Sequence, residues 1–189
     1  MTNALEGIEA ILNEERRFRE IAESIVTDTS ALAAGFLPSM GQIHTVFEWV
    51  RDGMLAALKE WGWSAIPANP VCIVTERHVP PGESGFWAYG VEIDAIVLGT
   101  RAIACLASSA DGTERPVSHF HPGLPKIIGA KANVVLMTME ECFHRRQCSE
   151  FGMMPEKGST TDEDPMEIGW RNERGRLISE GKINIHPSR

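Results

Sequence analysis

The stretch Phe86-Trp87-Ala88-Tyr89-Gly90-Val91-Glu92-Ile93-Asp94-Ala95-Ile96-Val97-Leu98-Gly99-Thr100-Arg101-Ala102-Ile103-Ala104-Cys105-Leu106-Ala107 decides the fold class. It is rich in β-branched and aromatic residues and punctuated by glycine, so 86–98 and 101–107 read as short strands with a sharp bend at Gly99-Thr100. Val71 to Thr75 reads as a strand before it and Asn133 to Thr138 as a central strand after it, with turns at Pro80-Pro81-Gly82 and Asp111-Gly112. Upstream the period is helical. Leu5, Ile8, Ile11, Leu12, Phe18, Ile21 and Ile25 recur on one face behind an Asn3/Glu6 capping box, and the Thr27 to Ser30 cluster starts a short helix stopped by Gly35. Ile43, Val46, Phe47, Val50, Met54 and Leu58 form a further helix between Ser39, paired with Gln42, and Gly62.

The expected architecture is α+β, with N-terminal helices packed on a mostly antiparallel sheet. A chain of 189 residues suits one domain, 1–189, with a helical part at 1–62 and a sheet-rich part at 63–189. A short helix near 139–148 follows the Thr138/Glu141 capping pair, a mobile loop is expected near 152–165, and 166–185 reads as a closing meander.

Twenty-six acidic against 18 basic residues give a net charge of −8, and residues 1–60 alone hold ten acids and five bases. Such a body repels phosphate backbones, which argues against a nucleic-acid partner. The longest apolar runs, such as Ala95 to Leu98, are far below the roughly 18 residues that span a bilayer, and no basic-apolar leader opens the chain. No membrane association and a cytoplasmic location are expected. Four cysteines without a C-x-x-C spacing make no disulfide framework, and Cys72 and Cys105, inside apolar runs, read as buried thiols.

In an extended segment His119 and His121 point to the same side and can share one metal ion, with zinc the expected cofactor. A zinc site needs a third donor. Glu83, Cys142 and the pair His144 and Cys148, four apart on one helix face, are the candidates. The acidic runs Glu140-Glu141 and Asp162-Glu163-Asp164 read as solvated. Trp49, Trp61, Trp63, Trp87 and Trp170 read mainly as core, with Trp61-Gly62-Trp63 at a helix end placed to leave one ring exposed.

Two partial family likenesses follow from these motifs. Glu83-Ser84-Gly85-Phe86-Trp87-Ala88-Tyr89-Gly90, followed by His119-Phe120-His121-Pro122-Gly123, resembles the glutamate strand and His-x-His-Pro of the JAMM-type (MPN-domain) zinc isopeptidases. That resemblance implies a proton-accepting Glu83 and zinc on His119 and His121, although Gly129 and Ala132 stand where the family carries its serine and zinc-binding aspartate. Val97-Leu98-Gly99-Thr100-Arg101, with His119 downstream, resembles the Leu-Gly-Ser-Cys strand of the CheD chemotaxis glutamine deamidases. Arg101 occupies the nucleophile's place, which implies an inactive deamidase-like fold unless Cys105 serves instead.

The functional expectation is therefore a metal-dependent or histidine-based hydrolase. Its proton acceptor is Glu83, and its metal ligands come from His119, His121, His144 and Cys148. The alternatives are a non-catalytic regulatory protein that holds a protein partner or a second copy through its acidic helices, and the inactive deamidase-like fold.

Overall fold

The computed structural model describes residues 2–30, 37–76, 87–107, 109–110, 116–118, 124–154 and 164–186. The N-terminal apolar periodicity forms two helices, α1 (Ala4–Asn13) and α2 (Glu15–Ser30), because the backbone turns extended at Glu14. Asn3 accepts from the Glu6 N–H while the Glu6 carboxylate accepts from the Asn3 N–H, the reciprocal cap the sequence carries. α2 runs through Thr27 to Ser30 rather than stopping there, with the Thr29 hydroxyl donating back to the Ile25 carbonyl (2.7 Å). The expected stop at Gly35 lies outside the described residues. α3 (Met40–Trp61) starts at the Ser39/Gln42 box and ends at Gly62, whose φ of 76° favours glycine.

Three strands, β1 (Cys72–Val74), β2 (Trp87–Gly90) and β3 (Ala95–Gly99), form one sheet in the order β1-β3-β2. β3 is buried along its whole length, as befits a central strand. It pairs antiparallel with β2 across a tight turn at Asp94 and parallel with β1. The sheet is therefore mixed, which corrects the expected mostly antiparallel arrangement. The run read as one strand over 86–98 divides at the turn Val91–Ile93 into β2 and β3, and the β1–β3 pairing joins segments whose relative direction no local pattern encodes. β4 (Pro116–Ser118) and β5 (Ile127–Gly129) make a separate antiparallel pair.

Three segments read as strands are helical or irregular. Residues 100–107 form α4 (Thr100–Ala107), in which Thr100, Ile103, Ala104 and Ala107 face inward at helical spacing. Three alanines favour that outcome. The Glu76 carboxylate stands in for an N-cap by accepting from the N–H groups of Arg101 (2.9 Å) and Ala102 (3.4 Å). It lies where a side chain on residue 99 would go, since a Cβ built there falls 1.9 Å from Glu76 Oε2, so Gly99 is required. Residues 133–138 belong to α5 (Ala130–Phe151), which absorbs and extends the short helix expected near 139–148. The anticipated meander is instead α6 (Pro165–Ser179), capped by Asp164 with Pro165 in its first turn. Beyond α6, Ile183 and Ile185 are buried, and the Ile185 carbonyl accepts from the Gly129 N–H (3.0 Å).

α5 is the hub, touching α3, α6, β2, β5 and the 3-10 turn Trp63–Ala65. A Cβ at Gly53 of α3 would come within 2.7 Å of Thr138 Cβ, so the two long helices cross with almost no gap. Of the expected buried thiols, Cys105 is exposed and Cys72 half-buried, because Cys105 falls on the outer face of α4 rather than on a strand. No described helix is long and apolar enough to cross a membrane.

Candidate metal centre on α5 and α6

An interior helix normally buries apolar groups, yet α5 buries Asn133, Thr138, Glu140, Glu141 and Gln147. Glu140 and Glu141 are 7% and 8% exposed, which corrects their reading as a solvated run. The cause is α6, which lies against this part of α5 and brings Glu167 and Arg174 with it. One ligand atom each from Glu140, His144 and Glu167 lies within 4.8 Å of the others, a spacing that suits one cation.

His144 is held from both sides. Gln147 donates through Nε2 to the Met166 carbonyl (3.1 Å), which turns its Oε1 toward His144 Nδ1 (2.9 Å). That acceptor fixes the proton on Nδ1 and directs Nε2 at Glu167, 3.4 Å from its Oε1. An Nδ1–H held by an acceptor, with Nε2 aimed at the other donors, is the orientation that metal-binding histidines use.

Burial dominates the electrostatics of the two α5 carboxylates. Burial, then the charge of Glu141, pushes the Glu140 carboxyl up, and burial pushes Glu141 up as well. Burial works against a charged His144, but the hydrogen bond to Glu167 and the charges of Glu141 and Glu140 outweigh it, raising the imidazole to about 9. Without a metal the cluster therefore holds protons, and a divalent cation bound here displaces them.

Beside the cluster is a pocket of about 230 Å³. Trp87 and Tyr89 of β2 line it with Glu141 and His144 of α5 and with Met166 and Glu167 of α6. Glu141 Oε2 accepts from the Tyr89 N–H (2.7 Å), tying α5 to β2. The Tyr89 hydroxyl donates to Asp94, whose carboxylate also takes Arg145 of α5, so the β2–β3 turn is fastened to the same helix.

Of the residues expected to form the site, Glu83, His119 and His121 lie outside the described residues. His144 is in the cluster. Cys148, on the same helix, has Asp94 and Arg145 as electrostatic neighbours, and it is not among the clustered donors. Burial leaves the Cys148 thiol raised, and the Cys142 thiol higher still. Glu167 and Gln147 were not singled out from the sequence, and Glu140 was read only as part of a solvated run, although Glu140 and His144 stand four apart and so share a helix face. Comparison with known proteins gives no further guide: no family model, curated protein or solved structure matches this chain.

Proposed function

We propose that the protein is a metal-dependent hydrolase whose divalent cation is held by Glu140, His144 and Glu167 and whose substrate enters the adjoining pocket. The observation that carries this reading is the convergence of the three donor atoms within 4.8 Å, with the His144 ring already oriented by Gln147. Two carboxylates and an imidazole suit zinc or manganese, and three protein ligands leave positions for water and substrate. A bound cation of this kind lowers the pKa of its water and polarises a carbonyl or phosphoryl oxygen. Glu141 lines the pocket with one oxygen held by Tyr89, and its role is to accept a hydrogen bond from the attacking water.

Titration of EDTA-treated protein with zinc or manganese chloride tests the assignment. One equivalent is expected to bind, with at least tenfold weaker binding in Glu140→Gln and His144→Ala and with metal-dependent turnover of a p-nitrophenyl ester. Absence of binding to either ion at millimolar concentration, in protein that remains folded, refutes it.

A second reading, a non-catalytic docking protein, draws on Trp63 and Phe151, each 61% exposed, and on Met154 at 63%. It predicts that Trp63→Ser abolishes self-association or partner capture while leaving cation binding intact, and a monomer that behaves identically with and without Trp63 removes its support.

A further inference from the structure

We propose that the pocket takes a short extended peptide, laid as an added strand along the free edge of β2. The inference names a substrate class for the hydrolase reading and rests on that reading for turnover, though not for the binding step.

The hydrogen-bond pattern of β2 carries it. In an antiparallel pair, alternate residues exchange both backbone hydrogen bonds with the partner strand, and the residues between them turn N–H and C=O the other way. β2 aligns Trp87 with Leu98, Ala88 with Val97, Tyr89 with Ile96 and Gly90 with Ala95. The Tyr89 N–H goes to Glu141 rather than to β3. Tyr89 therefore belongs to the outward set, and by the two-residue repeat so does Trp87. β2 is an edge strand, and among the described residues no strand pairs with its outer side. By the same alternation the N–H and C=O of Trp87 and the C=O of Tyr89 are directed to that outer side.

That open edge is a wall of the pocket, for Trp87, Ala88 and Tyr89 all line it. Across from them stand Glu141, His144 and Glu167, the last two belonging to the proposed cation site. The group that alternates donors and acceptors at strand spacing is a peptide backbone, and addition of a strand to an open sheet edge is an established way of binding one. The carboxylate of Glu141 already occupies the place of one incoming carbonyl by accepting the Tyr89 N–H at 2.7 Å. A peptide carbonyl would displace it and release the Glu141 oxygen to the water beside the cation.

Size and charge narrow the ligand. A space of about 230 Å³ is smaller than the roughly 300 Å³ at which sites for drug-sized ligands begin, so only one or two residues fit inside. Asp164, Glu167 and Glu141 line the pocket with acid, which selects against acidic side chains, while Val91 and Met166 offer apolar contact to a neutral one. Hydrolysis of such a ligand balances simply. The water oxygen bonds to the carbonyl carbon, the C–N bond breaks, and the water supplies the proton that leaves on the amine.

The experiment is a titration of ¹⁵N-labelled, EDTA-treated protein with N-acetyl-trialanine N-methylamide and, separately, with the triglutamate analogue, following backbone amide resonances. Saturable shifts centred on Trp87 and Tyr89 are expected with the alanine peptide below about 10 mM and much weaker ones with the acidic peptide. Glu141→Ala, which frees the Tyr89 N–H, should bind the alanine peptide several-fold more tightly. Glu141→Gln, whose carboxamide oxygen still accepts that hydrogen bond, should bind like the wild type and guards against misfolding of the alanine variant. Shifts confined to other residues, or none, overturn the inference. Because no cation is present in the titration, loss of the metal assignment would leave these shifts in place, and their loss in a protein that does bind a cation would count against the peptide alone.

Discussion

Two glycines of α6 offer the same substitution in opposite surroundings. A Cβ at Gly175 meets nothing within 4 Å, whereas one at Gly169 falls 2.6 Å from Gln147 Nε2. In both positions alanine should gain about 1 kcal/mol of helix propensity. At Gly175 that gain stands alone. At Gly169 the obstacle is the tip of a flexible side chain, which can swing aside, so the cost is the hydrogen bonds Gln147 gives up rather than a clash. These are the bonds to the Met166 carbonyl and to His144. Each is worth roughly 1 kcal/mol, and more where the partner carries charge. Gly169→Ala should therefore be about 1 kcal/mol less stable than the wild type and Gly175→Ala about 1 kcal/mol more stable. A difference of about 2 kcal/mol corresponds to about 4–8 °C in Tm for a chain of this size. Thermal and urea unfolding of the two variants measure it. Release of the His144 ring should also weaken cation binding by roughly 10–100-fold in Gly169→Ala alone. In a Gln147→Ala background the Gly169 substitution should become stabilising, because its obstacle has gone. Equal stabilisation by both substitutions in the wild-type background would refute the claim that Gln147 bridges α5 and α6.

Two further perturbations probe the structure around the site. Burial alone would raise the Asp94 carboxyl, but hydrogen bonds from Arg145, the Tyr89 hydroxyl and the Ala68 N–H outweigh it and hold it below its ordinary value of 3.8. Its contribution to stability is thus complete above about pH 3.8 and lost as the pH falls below that value. Asn tolerates the φ of 43° at this position, so Asp94→Asn should flatten the acid limb of stability against pH without breaking the turn, and parallel acid limbs in urea unfolding would contradict this. Thr138 Oγ1 is buried with no hydrogen-bond partner among the described residues, so Thr138→Val, which replaces the hydroxyl with a methyl of similar shape, should raise stability by about 1 kcal/mol. A loss of that size in chemical denaturation would show that the hydroxyl is engaged.

Much of the helical half was legible because its signals are local. The caps at Asn3 and Ser39 and the glycine at Gly62 act within one turn of the residues they terminate, and all three do what the sequence indicates. The runs 101–107 and 133–138 were misread because each is built on a short apolar stretch, 102–107 and 134–137. Such a run satisfies strand and helix periods alike until something outside it decides. For 101–107 that something is Glu76, which arrives from beyond β1 to cap α4. For 133–138 it is α3, pressed so closely at Gly53 that the facing surface must be another helix. The parallel β1–β3 pairing was illegible for the same reason, since it depends on direction between distant segments.

The candidate site was half-written in the sequence. Asn133, Glu140, His144 and Gln147 stand seven, four and three residues apart, which places them on one face of α5. A polar stripe at helical spacing usually faces water, and for Glu140 that default failed. Nothing within α5 marks the stripe as buried, since Val134, Leu136, Met139, Cys142 and Phe143 are buried while Lys131, Ser149 and Glu150 of the same helix are exposed. Its burial is decided by the element packed on it, which must bring polar groups to answer those it covers. α6 supplies them through Glu167 and Arg174, seven residues apart and so also on one face, and Arg174 is 4% exposed. Burial, and the like charge of neighbouring carboxylates, raise the protonation of Glu140 and Glu141 in spite of Arg174 and His144. Hydrophobic replacements at Glu140 and Glu167 would pack such a core at lower cost, and the proposed cation is the use that would retain the carboxylates there.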